Sequence, residues 1–323
     1  MIKYVIKRIL MMIPILMGIS LIVLIFIHIA PGDPAKMILG NEATVEEIEE
    51  LRDKMGLNDP FFVQYFSFFK NVLHGDFGRS YSNNRVILDE MMQRLRYTVV
   101  IAALSTVLAV FIGIPLGIYA ATHQYTWKDN AAIALSLAAI SMPSFWFALL
   151  MIQLFSIKLG ILPTAGVESW KGWVMPIISL ALGHTAMITR MMRSNLLEVI
   201  RQDFITTARA KGQSEFKVLY KHALKNAVIP IVMIVASMFG MALGGSMISE
   251  IIYSVPGLGN YMLTGLTGRD YPIIRATSFF MSLISSLVIL FIDLAFAFID
   301  PRIRSQYTRK RREKQVIGGA SDE

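Results

Sequence analysis

Long apolar stretches dominate the hydrophobic pattern of this chain. Six of them approach the length of a membrane-spanning helix, which needs about 20 predominantly apolar residues. They lie at residues 9–30, 98–121, 131–157, 173–194, 227–249 and 274–299. The pattern predicts an all-α, polytopic membrane protein with six transmembrane helices. The prolines within these stretches are compatible with that prediction, since neighbouring helices can satisfy the freed backbone groups.

The polar segments between the spans divide the chain into four parts. They are an N-terminal tail with the first transmembrane helix (1–30), an extracytoplasmic loop with amphipathic helices (31–97), a core of five transmembrane helices (98–299) and a basic cytoplasmic tail (300–323). A cytoplasmic loop at 195–226 interrupts the core.

Charge predicts the orientation of the spans. Lysine and arginine concentrate before the first span, at 190–225 and after residue 300, whereas 31–97 is mildly acidic. Basic loops face the cytoplasm, so we expect both termini to be cytoplasmic. The first apolar run is too long for a signal peptide and is followed by Pro31, which predicts an uncleaved helix.

The loop at 31–97 carries local folding signals. Thr44 and Glu47 have the spacing of a capping box, and Gly56 is placed to end the helix that follows. An apolar segment at 60–73 is too short to span and could lie at the membrane interface or pack on the outer ends of the spans. A folded cap on the bundle and a specific binding role both remain open.

The loop at 195–226 has the pattern of two amphipathic helices. Apolar residues recur every three or four positions on each side of Gly212, and the lysines lie opposite them. Ser214 is placed to cap the second helix. The pattern predicts a helix–turn–helix, which could be a surface helix on anionic lipid, an ordinary connector or a docking element.

Composition narrows the class of protein. Hydrophobic residues make up 54% of the 323 positions, charged residues 17%, and cysteine is absent. The net charge of +8 fits cytoplasmic loops of a membrane protein better than nucleic-acid binding. The chain has no phosphate-binding loop, no nucleophile–base motif and no metal-ligand spacing, which predicts that it is not an enzyme and binds no metal.

A few residues within and beside the spans are candidates for a role. Ala236, Gly240 and Gly244 have the four-residue spacing of close helix packing, and could also line a translocation path. Pro256, Gly257 and Gly259 lie in a segment predicted to be too irregular for a helix, which could form an outer cap over that path.

Asp293 and His184 are ionisable residues inside predicted spans. For Asp293 we favour an ion pair or helix-end contact near Asp300 and the basic tail over a proton or metal relay. For His184 we favour a hydrogen-bonded core histidine.

The loop also resembles a known element. Thr206-Thr207-Ala208, followed by three residues and Gly212, is similar to the EAA…G loop of ABC importer permeases. Threonines replace the first glutamate and alanine of that pattern, and its usual ending keeps only Leu224. The stretches TARAKG and HALKNA are typical of the peptide-permease branch.

Further motifs of that branch extend over nearly the whole chain. They are PGDP (31–34), GLNDP (56–60), GDFGRS (75–80), MPSFW (142–146), PGLG (256–259), RDYP (269–272) and DPRIR (300–304). Together they resemble the permease subunit of the dipeptide/oligopeptide (peptide/nickel) ABC importer family, of the type with a long outer loop after its first span.

The resemblance implies a set of partners. They are a second permease subunit, expected to be a paralogue, two cytoplasmic ATPase subunits that bind ATP and Mg²⁺, an extracytoplasmic solute-binding protein, and membrane lipid. No nucleic acid and no cofactor of the chain's own are expected. The location implied is the cytoplasmic membrane of a bacterium or archaeon, and the architecture that of a type I ABC importer permease.

The same resemblance assigns a role to the loop, which would couple the chain to the ATPase. The residues concerned are Thr206, Thr207, Ala208, Gly212, Phe216, Leu219, Tyr220 and Leu224. The cargo would be dipeptides or oligopeptides, with nickel complexes, glutathione or another small solute as alternatives. A proton-coupled secondary transporter and a membrane-embedded hydrolase are rival classes, and Asp293 and His184 would have to serve the first.

Overall fold

A computed structural model describes residues 2–30, 32–40 and 42–299 of the chain. The predicted basic tail at 300–323 and Pro31 lie outside the described residues. Within them the regular structure is helical, apart from one isolated antiparallel bridge between Arg79 and Val86. The prediction of an all-α protein is confirmed.

The helices follow one another with short connections. They are α1 (Ile2–Ile29), α2 (Pro34–Leu39), α3 (Val45–Lys54), α4 (Phe61–Leu73), α5 (Ile87–Thr122), α6 (Trp127–Ser141), α7 (Ser144–Met151), α8 (Trp170–Ile200), α9 (Asp203–Ala210), α10 (Glu215–Lys217), α11 (Leu224–Gly245), α12 (Met247–Ile252), α13 (Leu258–Thr267) and α14 (Tyr271–Ile299). Two π-helical segments, π1 (Ile152–Lys158) and π2 (Val218–Ala223), continue α7 and join α10 to α11.

Five helices are long and apolar enough to cross a membrane, and a bent helix pair makes up to six spans. The bent pair is α6 with α7–π1, which meet at 99°. The sequence analysis predicted a single span over 131–157 and did not predict this bend. Pro143 has no N–H to continue the hydrogen bonds of α6 and pushes Met142 into an extended conformation, with φ −81° and ψ 121°.

The segment after the fifth span also differs from expectation. α11 ends at Gly245, and the region predicted to be irregular contains two further helices, α12 and α13. Of the four residues 256–259, Leu258 and Gly259 already belong to α13. The irregular part is thus confined to the turn before them.

The centre of the bundle is the contact between α5 and α8. A Cβ on Gly113 would lie 2.9 Å from Ile188, and one on Gly117 would lie 2.6 Å from Met192. The two glycines therefore allow the helix backbones to approach closely. This second Gly-x-x-x-Gly was missed by the sequence analysis, although its spacing is the same as that of the pattern in α11.

The segment before α5 packs as a folded cap on one end of the bundle, which we call the cap end. The Tyr65 hydroxyl of α4 donates to the carbonyl of Met17 in α1 at 2.8 Å, and the Phe68 ring meets the Phe279 ring of α14 edge to face at 5.6 Å. The capping box at Thr44 is present, which confirms that prediction. We call the opposite end, which carries α9 and α10, the loop end.

Candidate functional site

The chain at the loop end folds back on itself at Gly212. α9 ends at Ala210, and Gly212 follows with a backbone φ of +73°. Its N–H donates to the Arg209 carbonyl at 2.9 Å and closes the helix. Glycine adopts this left-handed conformation at little cost, which explains its presence. Close packing within the described part of the chain does not require a glycine here, because a Cβ on Gly212 would have none of its atoms within 4 Å.

Two side-chain pairs hold this turn closed. Arg209 binds Glu215 at two points, with Nε–Oε1 and Nη2–Oε2 distances of 2.7 and 3.2 Å. His222 Nε2 lies 2.7 Å from Gln213 Oε1. Ser214 occupies the predicted N-cap position in an extended conformation, but its side chain makes no capping hydrogen bond. The ion pair therefore does more than the serine to fix the start of α10.

The element before the turn is shorter than predicted. The apolar periodicity suggested a continuous helix through residues 197–208, whereas α8 ends at Ile200 and α9 starts afresh at Asp203. The element after the turn is longer, since α10, π2 and α11 follow without interruption. A π segment adds a residue to a helical turn and rotates the faces on either side of it, and such segments recur at functional sites.

One face of this loop is fixed to the bundle. Its buried members are Ile205, Ala208, Val218 and Ala223. They pack in one cluster with side chains of α5, α8 and α11, among them Ala121, Met192 and Ile231. Leu219 and Leu224 are half-buried against the same cluster. A displacement of the loop would therefore also displace α5, α8 and α11.

The other face is exposed. The predicted coupling residues that lie on it are Thr206, Thr207, Gly212, Phe216 and Tyr220. Phe216 is 71% exposed and Tyr220 46%, and their ring centroids are 4.6 Å apart. Phe204 of α9 is also exposed. We call Phe216 and Tyr220 the aromatic patch. Exposed lysines at 211, 217, 221 and 225 lie in the same loop.

A buried ion pair holds α6 against α8 at the loop end. Arg193 donates to Asp129 through Nε and Nη2 at 2.5 and 2.7 Å, and Asp129 is 1% exposed. The backbone N–H of Tyr125 donates to the same carboxylate at 3.1 Å. The sequence analysis missed this pair, because the partners lie far apart in the chain and neither stands in a recognisable local pattern.

The cap end contains a second buried polar network, centred on Glu250 of α12. Its carboxylate accepts from the hydroxyls of Thr98 and Ser246 at 2.7 and 2.9 Å. It also accepts from the N–H groups of Gly259 and Asn260, at 2.7 and 3.2 Å, in the first turn of α13. A carboxylate at a helix N-terminus is stabilised by the unpaired N–H groups and by the helix dipole.

This network explains the two glycines predicted to form an outer cap. A Cβ on Gly257 would overlap the Glu250 carboxylate, and a Cβ on Gly259 would lie 2.5 Å from the Cα of Met247. Pro256 precedes them in the turn that leads into α13. The segment is therefore a packed junction between α5, α12 and α13. Whether it covers a translocation path stays a prediction.

Two of the motifs quoted above meet at the cap end. The Ser80 hydroxyl, from GDFGRS, donates to the Asp270 carboxylate of RDYP at 2.6 Å. The backbone N–H of Ser82 donates to the same carboxylate at 3.1 Å. Asp270 is 2% exposed and lies just before α14. The two motifs thus form one structural joint between the cap and the last span.

The small residues of α11 differ in their surroundings. A Cβ on Gly240 would lie 3.0 Å from Ile289 of α14, so this position packs closely against a neighbouring helix. Gly244 is exposed, with Ser285 Oγ at 3.9 Å from its Cβ position, and Ala236 is half-buried. Close packing therefore accounts for Gly240 within this chain.

The two ionisable residues in the spans also have defined surroundings. Asp293 forms an ion pair with Arg8 of α1 at 2.9 Å, whereas the basic tail that the prediction also named lies outside the described residues. His184 Nδ1 is buried without a hydrogen-bond partner among the described residues, so the expected hydrogen bond is not present at that atom. Within the same residues no group of three His, Cys, Asp or Glu could hold a metal ion.

Comparison with known proteins finds relatives of this chain among transport-system permeases. The glutathione transport system permease protein GsiC of Escherichia coli K12 is 40% identical over 304 residues, which cover 94% of this chain and 99% of that protein. The protein of the same name from Shigella flexneri serotype 5b is 39% identical with the same coverage. A structure of the MetNI methionine ABC transporter in an inward-facing conformation matches 65% of this chain and 94% of that chain, at 19% identity and a TM-score of 0.49.

Two family models match consecutive parts of the chain. The model for the N-terminal part of binding-protein-dependent transport system membrane components matches residues 1–102. The model for the inner membrane component of these systems matches residues 113–305, more than half of the chain. The chain therefore belongs to the family of binding-protein-dependent transport system inner membrane components.

Proposed function

We propose that this chain is one of two permease subunits of an ATP-driven importer for dipeptides and oligopeptides, glutathione included. The second permease is a paralogue, and together the two subunits form the translocation path. Two ATPase subunits bind ATP and Mg²⁺ on the cytoplasmic side, and a solute-binding protein delivers cargo outside. Both termini and the loop at 195–226 are cytoplasmic. The chain itself carries no cofactor and catalyses no reaction.

The loop end carries this proposal. Its buried face is continuous with the cores of α5, α8 and α11, and its exposed face presents the aromatic patch. Exposed aromatic side chains on an otherwise polar surface mark a protein interface, and aromatic residues supply much of the binding energy of such interfaces. An ATPase that binds the aromatic patch would move the long helices with it, because the buried face of the same loop packs against α5, α8 and α11.

The proposed cargo rests on the relatives and on chemistry. Glutathione is a tripeptide, so a glutathione permease and a peptide permease handle substrates of one chemical class. The 40% identity extends over almost the full length of both chains. Nickel complexes and other small solutes remain the alternative cargo of the same machinery.

Two measurements test the proposal separately. Purification of the chain from its native membrane in mild detergent should recover a second permease and two ATPase subunits. After reconstitution in vesicles, the complex should transport cargo only when ATP is supplied on the side of the membrane that carries the ATPase subunits. Recovery of the chain alone, with uptake that needs a proton gradient and no ATP, would contradict the importer and return attention to Asp293.

The cargo is tested on the binding protein. We expect calorimetric titration with glutathione, a dipeptide and a pentapeptide to give submillimolar affinity for at least one of them. Binding of a nickel complex in their place would refute the peptide assignment and leave the importer intact.

A further inference from the structure

A large apolar groove lies at the cap end between α1, α13 and α14. Its volume is about 590 Å³, within the range of roughly 300–1,000 Å³ typical of small-ligand pockets. Its walls include Val23 and Phe26 of α1, Met262 and Leu266 of α13, and Ile274 of α14. Phe26 is 68% exposed and Leu266 44%, so the groove is open along its length.

The position of the groove matches the edge of the membrane. The α1 part of the wall belongs to the last two turns of a helix that is apolar enough to span. The α14 part belongs to the start of the last span. The ends of transmembrane helices lie at the level where acyl chains give way to lipid headgroups.

One of the side chains that line this apolar groove is a cation. Arg269 lies between α13 and the start of α14 and lines the groove. Among the ion pairs formed by the described residues none involves Arg269, so no carboxylate of this part of the chain neutralises it within 4.0 Å. A half-buried guanidinium at a membrane interface favours an anionic partner, and it matches phosphate oxygens at two points.

The backbone at Arg269 gives a second, independent observation. Its φ is +50°, in the left-handed region, where it follows the C-cap Gly268 of α13. The Asp270 N–H donates to the Gly265 carbonyl at 2.9 Å, which completes the helix end. Glycine or asparagine is the usual residue at such a position. The guanidinium lies against the backbone of Gly32, just after α1, because a Cβ on Gly32 would overlap Arg269 Nη1.

We propose that this groove binds a membrane phospholipid, with one acyl chain against α1, α13 and α14 and the phosphate on Arg269. Burial of an acyl chain contributes in proportion to the apolar surface it covers, and the phosphate contact fixes the headgroup at the mouth. The bound lipid fills the space between the first and the last span. This proposal concerns a structural ligand and does not depend on the cargo.

The test is lipid retention by the purified complex. The intact complex is reconstituted in vesicles of a phosphate-free galactolipid that contain either phosphatidylglycerol or a diacylglycerol with the same acyl chains, extracted in mild detergent and analysed by native mass spectrometry. We expect phosphatidylglycerol to be retained at least about tenfold more than the diacylglycerol, equivalent to roughly 1.4 kcal/mol.

The variants distinguish the groove from general lipid adhesion. Arg269→Asn removes the charge and accepts the left-handed backbone, so the fold is expected to persist while retention falls about tenfold. Arg269→Lys keeps the charge but loses the two-point contact, so its retention should lie between those of Arg269→Asn and wild type. Arg96→Gln is the matched control and should leave retention unchanged. Arg96 is exposed at the start of the span in α5, contacts the Tyr97 ring and has no carboxylate partner among the described residues.

Three outcomes would overturn the proposal. Equal retention of phosphatidylglycerol by wild type and Arg269→Asn would show that Arg269 does not bind the lipid phosphate. Equal retention of phosphatidylglycerol and diacylglycerol would show that the groove does not recognise the phosphate headgroup. A complex that holds no lipid, and in which a photocrosslinker at Met262 captures the second permease, would assign the groove to a helix of that subunit.

Discussion

At the residue scale, Glu250 is the clearest case of a side chain with a definite structural task. It is fully buried, and it accepts four hydrogen bonds, from Thr98 of α5, from Ser246 just before α12 and from two N–H groups of α13. A buried acceptor of this kind joins elements that are distant in the sequence. Its removal leaves several buried donors without partners, and each of these costs about 1–3 kcal/mol.

Glu250→Ala is therefore expected to lower the thermal midpoint of the purified chain strongly. Glu47→Ala is the control, because Glu47 is exposed and loses only the capping box of α3, which costs about 1 kcal/mol. Thermal unfolding in one detergent, followed by circular dichroism, compares the two. A Glu250→Ala midpoint equal to that of Glu47→Ala would show that the network does not hold the cap end together.

Gly212 provides a test of coupling that separates folding from docking. Gly212→Glu meets no atom of this chain near its Cβ, so its folding cost is limited to the positive φ, about 1–2 kcal/mol. If an ATPase approaches this turn, the variant should hydrolyse ATP while uptake per ATP falls about tenfold or more. Both activities are measured on reconstituted complexes.

Gly160 offers a matched control for that substitution. It has a φ of +64° and equally open surroundings, but it follows π1 and lies far from the loop at 195–226 in the sequence. Gly160→Glu should leave uptake per ATP unchanged. Equal behaviour of the two variants would move the coupling joint away from Gly212.

At the element scale, the contact between α5 and α8 depends on two small residues rather than on large apolar side chains. Gly117→Ala would bring a Cβ within 2.6 Å of Met192, and overpacking of this kind typically costs about 1–3 kcal/mol. Gly183→Ala in α8 has open space and gains helix propensity, by up to about 1 kcal/mol.

We therefore expect the same substitution to act in opposite directions at these two positions. The measurement is the thermal midpoint of each variant in the same detergent. Gly117→Ala with a midpoint at or above that of Gly183→Ala would mean that α5 and α8 do not approach as closely as described.

The helices and their contacts also show which features could be predicted from the sequence and which could not. Apolar length and capping patterns predicted the long spans, the start of α3 and its end at Gly56, because these signals are local. The 99° bend at Pro143 was missed, since proline is tolerated in many membrane helices and only packing decides whether it bends one. Asp129–Arg193 and the Glu250 network were missed because they join distant segments, and no local pattern encodes such a pairing.

At the scale of the whole molecule, substitution of Asp293 distinguishes transport driven by ATP from transport driven by a proton gradient. Its pair with Arg8 is partly exposed, at 27% and 36% for the two side chains, and both residues belong to helices that can span a membrane. In an ATP-driven importer the charge of Asp293 is dispensable for transport. Asp293→Asn should therefore retain uptake within about twofold, a change of less than roughly 0.5 kcal/mol.

The same reconstituted system supplies the control. An ionophore that collapses the proton gradient should leave uptake by wild type and Asp293→Asn unchanged, whereas ATP depletion should stop both. Loss of uptake in Asp293→Asn, together with sensitivity to the ionophore, would favour a proton relay through this residue.

The pairing of α1 with α14 has a consequence for how the protein is made. Only 11% of the apolar window of α1 is buried, and the described contacts that hold it come from α4 and α14, including the pair between Arg8 and Asp293. During synthesis α1 is therefore inserted before α14, its main neighbour, has been made. During synthesis α1 must be tolerated by lipid alone, and a ribosome that stops before α14 leaves an inserted chain whose bundle cannot close.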